Sequence, residues 1–419
     1  MRSRLRSARR RLLRWLRWGL LLLALALGII IVDTWTAMGK RPSGERLARM
    51  QRSSMYRDGR FHNALPMRDD MWKATKKWLA GAEDREPTAD LPLERRTRDD
   101  YAKPPESGLR VSWFGHSSML VEIDGKRILT DPVWGERASP SSLFGPTRFF
   151  EPPIALEELP ELDAIVLSHD HYDHLDTESI VALSQLTRAP FIVPLGVGAH
   201  LEYWGVARER IRELEWWEET GVGDLKLVCT PARHFSGRGV LDRNTTLWAS
   251  WSLIGPRHRA FFSGDTGMFP GFAEIGERLG PFDVTLIESG AYDAAWADVH
   301  LGPEQAVLAH QLLRGKVLMP VHWGTFNLAL HAWTEPAERI IAASRSVGIQ
   351  AVVPRPGGRF EPATLPRFER WWPELPWRTA EESPVRSSGL EQWLSELGLE
   401  STQVPVPVSV PALSPDAAR

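Results

Sequence analysis

Cysteine is nearly missing from this 419-residue chain, where Cys229 stands alone. A single thiol excludes an intramolecular disulfide and any cysteine-rich zinc site, and says little about compartment. A basic surplus is missing as well. Of the 51 lysines and arginines, eight arginines fall in the first 17 residues, so the rest of the chain carries 43 basic against 53 acidic side chains. Such a body has no excess of cations to neutralise a phosphate backbone, which argues against nucleic acid as a partner. No internal repeat stands out. What is present, 43% hydrophobic and 25% charged residues, is the composition of a globular protein with a sizeable core. The length fits one large domain with appendages, or two domains.

The first 40 residues, MRSRLRSARRRLLRWLRWGLLLLALALGIIIVDTWTAMGK, contain a membrane-addressing segment, taken as residues 1–39. Trp18 to Val32 gives 15 uncharged residues, short of the ~20 that span a bilayer core. Adding Trp15 and Leu16, a snorkelling Arg17, and Thr34 to Met38 makes the length adequate. The positive-inside rule keeps the arginines cytoplasmic and places everything beyond Asp33 on the far face, the periplasmic side of a bacterial-type inner membrane. The alternative is an exported protein with a cleaved signal, whose small-residue site would be Ala37-Met38-Gly39; Arg9-Arg10-Arg11-Leu12-Leu13 has the outline of a twin-arginine export signal.

Residues 40–107 read as a helical and charged arm. MWKATKKWLAG predicts a short helix ended by Gly81, and residues 82–107, charged and proline-bearing without apolar period, predict a linker or a wrapped arm. From residue 108 to 362 the texture changes. LRVSWFG, SMLVEIDG, KRILTDP, DAIVLSHD, PFIVPLG, DLKLVCTPA, TLWASWSLIG, RAFFSGD, DVTLIES and KVLMPVHWG are strand-like runs. TESIVALSQL, HLEYWG, PGFAEIGERLG, GPEQAVLAHQLL and PAERIIAASRSVG interrupt them as helices. Many short strands with helices between them predict two sheets covered by helices, an α/β sandwich. Residues 363–419 form a Trp- and Pro-rich tail with one helix around GLEQWLSEL and an extended, disordered end, VPVPVSVPALSPDAAR.

The chemistry concentrates in VLSHDHYDHLD. The strand-like run ends at His169, and His169, His171 and Asp173 alternate while His174 adjoins Asp173, so neighbouring side chains can turn toward different metals. Imidazole and carboxylate suit zinc, with iron or manganese as alternatives. Four donors in six residues supply two half-sites, neither complete, and a dinuclear centre therefore calls for more donors at strand ends downstream. His234 follows the run ending at Thr230, Asp265 lies between Gly264 and Gly267 where a carboxylate can bridge two metals, and His322 follows another strand. Four strand ends on one rim are what a two-metal hydrolase needs, its water made acidic enough to attack. A solvated acidic loop is the bland reading, and alternating His and Asp directly after a buried strand has no packing rationale.

At this point the chain resembles the metallo-β-lactamase superfamily, whose signature H-x-H-x-D-H is matched by His169, His171, Asp173 and His174. Over roughly residues 38 to 362 it is most similar to the group of phospholipases D that hydrolyse N-acyl phosphatidylethanolamine and to their bacterial membrane-associated relatives. WFGHSSMLVEIDG, ILTDPVWGERASPSSLFGPTR, LSHDHYDHLD, GKRPSG, YRDGRFHN, and HLGPEQAV followed by PVHWGTF carry that likeness. The resemblance implies the αββα sandwich with an N-terminal membrane segment, and two Zn2+ per chain. His169, His171 and His234 would hold one ion and Asp173, His174 and His322 the other, with Asp265 bridging. It also implies His300 beside the metals as a catalytic residue that orients or stabilises the transition state; the bland reading of His300 is the start of a helix before Gly302-Pro303.

Three further residues are candidates around that centre. Asp131 in LTDP reads as the partner that orients a ligand histidine, His116 in FGHSS as a supporting or turn residue, and His331 in NLALHAW as a pocket residue. Nineteen tryptophans divide between core and an interfacial belt suited to a lipid substrate. The expected activity is hydrolysis of a phospholipid phosphodiester, of phospholipase D type. The alternatives are a hydrolase of a soluble lactone or small phosphodiester, and a non-enzymatic envelope protein.

Overall fold

Leu109, Val111 and Trp113 turn to one side of their strand while the intervening residues turn to the other, and this period of two runs through the whole fold. The computed structural model describes residues 2–396 except 69 and 240, together with 398; the terminal run from 404 lies outside the described residues. In chain order a long helix α1 (Arg2–Trp35) precedes α2 (Gly44–Met50), a small hairpin β1 (Tyr56–Arg57) and β2 (Arg60–Phe61), and α3 (Met71–Ala80). There follow β3 (Leu109–Gly115), β4 (Ser118–Ile123), β5 (Lys126–Thr130), β6 (Ala164–Val166), α4 (Thr177–Leu186), β7 (Phe191–Pro194), α5 (Gly198–Tyr203) and β8 (Ile211–Leu214). The second half continues with β9 (Glu219–Val222), β10 (Leu225–Thr230), β11 (Ser250–Ile254), β12 (Arg259–Phe262), α6 (Gly271–Leu279), β13 (Phe282–Glu288), α7 (Pro303–Leu312), β14 (Gly315–Val321), α8 (Glu335–Ser346), β15 (Gln350–Ala351), β16 (Arg359–Phe360) and α9 (Leu390–Glu396).

Two seven-stranded sheets result, ordered β16-β3-β4-β5-β6-β7-β8 and β15-β14-β13-β12-β11-β10-β9. Each has an antiparallel part and a parallel part; β5 to β8 run parallel in the first, β12 to β15 in the second. Between the sheets lies one core built from alternate residues of both, including Val121, Val166, Leu227, Trp251, Phe262 and Met319. The opposite faces are covered by helices: Leu120, Ile165 and Phe191 meet Ile180 and Leu183 of α4, while Phe261 and Leu318 meet Phe272 of α6, Val307 of α7 and Ile340 of α8. With both faces covered, most strand positions are buried, and strands read as near-continuous apolar runs. This is a helix–sheet–sheet–helix sandwich.

Segments outside the strands pack rather than trail. Glu94 N and Arg96 N donate to Pro356 O and Pro153 O, and Tyr101 is buried, so the charged arm wraps the first sheet. Trp371 and Trp372 enter the inter-sheet core beside Trp323, and Trp393 of α9 joins the layer under α7. Leu13–Trp35 within α1 is long and apolar enough to cross a membrane, its 23 residues reaching about 34 Å at the helical rise. Directly after it the chain docks on the domain. Trp204 Nε1 donates to Thr36 O at 2.8 Å, Arg238 Nε to Ala37 O at 2.7 Å, and Lys40 N to His200 Nδ1 at 3.0 Å.

Candidate metal centre

Strands β3, β5, β6, β10, β12, β13 and β14 point the same way, and their carboxyl ends share one rim. The residues that follow them are His116, Asp131, the 169–174 loop, His234, Asp265, the terminal Glu288 itself, and His322. Carboxyl ends of parallel strands are where loops free of the ladder present side chains to ligands.

Two clusters form there. His169 Nε2 lies 2.8 Å from His171 Nδ1, which lies 3.3 Å from His234 Nε2. Asp173 Oδ2 is 3.0 Å from His116 Nε2, 3.1 Å from His322 Nε2 and 3.5 Å from His174 Nε2. Asp265 touches both. Its Oδ2 is 3.7 Å from His169 Nε2 and from His234 Nε2, while Oδ1 is 3.1 Å from His174 Nε2 and Oδ2 is 3.1 Å from His322 Nε2. The seven residues expected as ligands are thus brought together in the expected two halves.

Partners behind the imidazoles set which nitrogen faces inward. Ser168 Oγ donates to Asp131 Oδ2 at 2.5 Å and so accepts from His169 Nδ1 at 2.9 Å; His234 Nδ1 donates to Val299 O at 3.0 Å; His174 Nδ1 donates to Asp131 Oδ2 at 2.7 Å. In each case Nε2 is the nitrogen turned into the rim, the arrangement that metal-ligating histidines show. Asp131 is fully buried and also accepts from Ser168 N at 2.7 Å, so it orients His174 as a supporting carboxylate.

The centre calls for positive charge. His174 Nε2 and Asp265 Oδ1 face each other at 3.1 Å, sealed from water and without a well-formed hydrogen bond, a costly condition for an imidazole and a carboxylate unless a cation meets them. Burial and the neighbouring imidazoles hold His169 and His234 well below the usual histidine range, in the neutral form that can donate a lone pair. His322 shows the opposite. Burial pulls it down, but Asp265 and Asp173 outweigh burial and push it up to about 10. Those carboxylates thus draw a cation of some kind to this spot, and the donor set of imidazoles and carboxylates fits divalent zinc, iron or manganese.

Backbone strain gathers here too. His116, Asp131 and His322 have φ of 50°, 31° and 64°, the left-handed region that ordinary side chains avoid. The two histidines brace each other, His322 N donating to His116 O at 3.1 Å, and a Cβ on Gly290 would strike His322 O at 2.0 Å. Gly264, at φ 54°, lets Asp265 leave β12 against Ser168, whose Cβ would lie 2.5 Å from an added methyl group.

His300 stands at the edge, 3.9 Å from Asp265 Oδ2, with its Nδ1 3.1 Å from Glu288 Oε1. Asp265, Glu288, His300 and His322 together form a third group close enough to hold an ion, so the same geometry admits His300 either as a group facing substrate or as a ligand. His331 is placed behind the centre, its Nε2 2.9 Å from Gly290 O and its ring stacked on Tyr292. Two carboxylates matter that the sequence did not single out. Glu288 accepts from Thr266 N and Leu301 N as well as from His300. Asp170, between the two histidines of the motif, accepts from Thr246 Oγ1 at 2.6 Å and Gly237 N at 2.7 Å and so pins the loop.

A family model described as a beta-lactamase superfamily domain matches residues 126–323, the stretch holding all seven candidate ligands. An N-acyl-phosphatidylethanolamine-hydrolyzing phospholipase D of Caenorhabditis elegans is 38% identical over 262 residues, 60% of this chain and 73% of that protein. The chain belongs to the β-lactamase superfamily. As a member of it, with the metallo-β-lactamase fold, it is a metal-dependent hydrolase. An uncharacterised protein of Mycobacterium tuberculosis is 50% identical over 331 residues, 77% of this chain and 88% of that one. Among solved structures, a metallo hydrolase from the archaeon Ignicoccus hospitalis is similar at 25% identity and a TM-score of 0.46, covering 60% of this chain and 98% of that one.

Proposed function

We propose that this superfamily member is a membrane-anchored, dinuclear zinc phosphodiesterase of phospholipase D type, acting on N-acylated phosphatidylethanolamine or a related phospholipid. One observation carries the dinuclear reading: Asp265 reaches His169 and His234 on one side and His174 and His322 on the other. The likeness to a phospholipase D of that specificity supports the substrate class. His169, His171 and His234 would hold one ion, Asp173, His174 and His322 the other, and Asp265 both. Bound there, two divalent ions supply Lewis acidity toward a phosphoryl group and a water acidic enough to attack it.

The protein's own part is orientation and proton handling. Asp131, Ser168 and Val299 O fix which ring nitrogen turns inward. Glu288 accepts from His300 Nδ1, leaving Nε2 as the nitrogen able to hold or give a proton at a phosphoryl oxygen or at the departing group. α1 serves as a retained anchor in this reading. Cleavage at Ala37-Met38-Gly39 would cut inside the docked segment and remove the acceptor of Arg238 Nε.

A second reading, hydrolysis of a smaller soluble lactone or phosphodiester, is favoured by one feature. The cavity of about 490 Å³ that reaches His331 is lined partly by charged groups, Lys77, Asp293, Glu335 and Arg378, which suit a polar substrate better than acyl chains. The deciding experiment incubates metal-loaded protein with N-acylated and ordinary phosphatidylethanolamines in bilayers. Release of phosphatidic acid with free N-acylethanolamine is the expected result; no phosphatidic acid from any of them overturns the lipid reading.

A further inference from the structure

The last turn of α1 is tied to a loop of the catalytic domain. Asp33 accepts from Ser142 N at 3.3 Å and Ser142 Oγ at 2.6 Å, and also from Ser141 Oγ. Asp33 belongs to the candidate span Leu13–Trp35, so Ser141 and Ser142 lie at the depth where that span ends. The next two residues are Leu143 and Phe144, 62% and 48% exposed. They are not loose. Arg137 Nε donates to Ser142 O at 3.1 Å and its NH1 to Gly145 O at 3.0 Å, while Leu143 N donates to Ser141 Oγ at 3.1 Å. A loop braced from both ends that still presents two large apolar side chains to water costs free energy unless something covers them.

A second tip lies beside the same helix end. Leu241 is 76% exposed, its carbonyl accepts from Arg41 NH2 at 2.8 Å, and Arg238 in the same loop reaches Ala37 O. Both loops follow carboxyl ends of strands, β5 and β10, on the rim that carries the candidate metal centre. Trp35 itself is 65% exposed, as an indole at a bilayer interface is.

We infer that Leu143, Phe144 and Leu241 dip into the bilayer interface beside α1, making a second membrane contact that holds the rim of the candidate metal centre against the lipid surface. The inference rests on the reading of α1 as a retained span. It commits to lipid because the loops are fastened to the end of a membrane-length helix, and apolar groups at that level meet acyl chains and headgroups before anything else. With the helix and the loops engaged together, the rim is fixed relative to the membrane, whereas a helix alone would leave the domain free to swing.

Depth-dependent quenching tests it on the full chain. Cys229 is fully buried, so single surface cysteines take a fluorophore selectively. Leu22→Cys, Phe144→Cys, Leu241→Cys and Val347→Cys are each labelled and placed in nanodiscs of phosphatidylethanolamine and phosphatidylglycerol with brominated acyl chains. Val347 directly follows α8 at the end of the strands opposite the rim, near the start of β14. The proposal expects loss of most emission at 22, and clear loss at 144 and 241, with none at 347. Quenching at 22 but none at 144 and 241 overturns the second contact and leaves the anchor standing. An unquenched label at 22 removes the anchor reading itself, and the inference with it. Labels at 144 and 241 that respond only to protein concentration, through a second copy, also overturn it.

Discussion

Replacing Asp265 by asparagine keeps the side chain's size but removes the charge that faces both clusters, and each half loses a donor at once. The expected outcome is loss of metal together with nearly all activity. His300→Ala should instead keep the metal, because His300 stands at the edge of the centre with Glu288 behind its Nδ1; a single stabilising group is typically worth ~10² to 10³ in rate. Metal content and turnover of the two variants, measured side by side, check both claims, and metal loss in His300→Ala would make His300 a ligand. Asp131→Ala frees His174 Nδ1, and loss of such a supporting partner costs roughly 10- to 100-fold in metal affinity. Equilibrium dialysis against a competing chelator reads it. At this scale the cluster at 169–174 was legible because several donors in one short loop have no packing use. Glu288 was not, since DVTLIES reads as an apolar strand with an acidic end, and its role appears only once β13 ends beside His300.

Among the elements, the 169–176 loop is held chiefly by Arg238, which donates to Asp170 O at 2.7 Å and Leu175 O at 2.8 Å from a buried position. Arg238→Ala leaves those carbonyls unpaired and cuts the tie to Ala37. A buried charged donor lost from such a network costs about 2–5 kcal/mol, and the accompanying readout is weaker metal retention. Trp371→Ala tests the tail. Its ring lies 5.4 Å from that of Trp323 and 6.2 Å from that of Trp113, and truncating a buried tryptophan costs about 3–5 kcal/mol, visible as a lowered denaturant midpoint. Periodicity located the buried strands and most helices well. It missed β8 and β9, whose IREL and ETGV are largely polar because they sit at sheet edges, and the two-residue strands β15 and β16. It also extended the β11 run too far back, for TLWA leaves the ladder and only Ser250–Ile254 pairs.

For the molecule as a whole, the proposed centre makes stability depend on bound ions. A ligand that binds only the folded state at 1,000 times its Kd adds about 4 kcal/mol, so exhaustive chelation should lower the melting temperature clearly and zinc should restore it. An unchanged melting curve after verified metal removal would contradict that coupling. The apolar run at the start and the His/Asp motif were readable separately in the sequence. Their adjacency was not, because it depends on contacts more than 100 residues apart, such as Asp33 with Ser142 and Ala37 with Arg238. In the proposed centre two ions share Asp265. The most direct measurement is metal stoichiometry of the purified full-length protein by mass spectrometry of total metal, wild type against Asp265→Asn. Two divalent ions per chain are expected in the wild type and fewer than one in the variant; a single ion in the wild type, or two retained in Asp265→Asn, would rule out a shared Asp265.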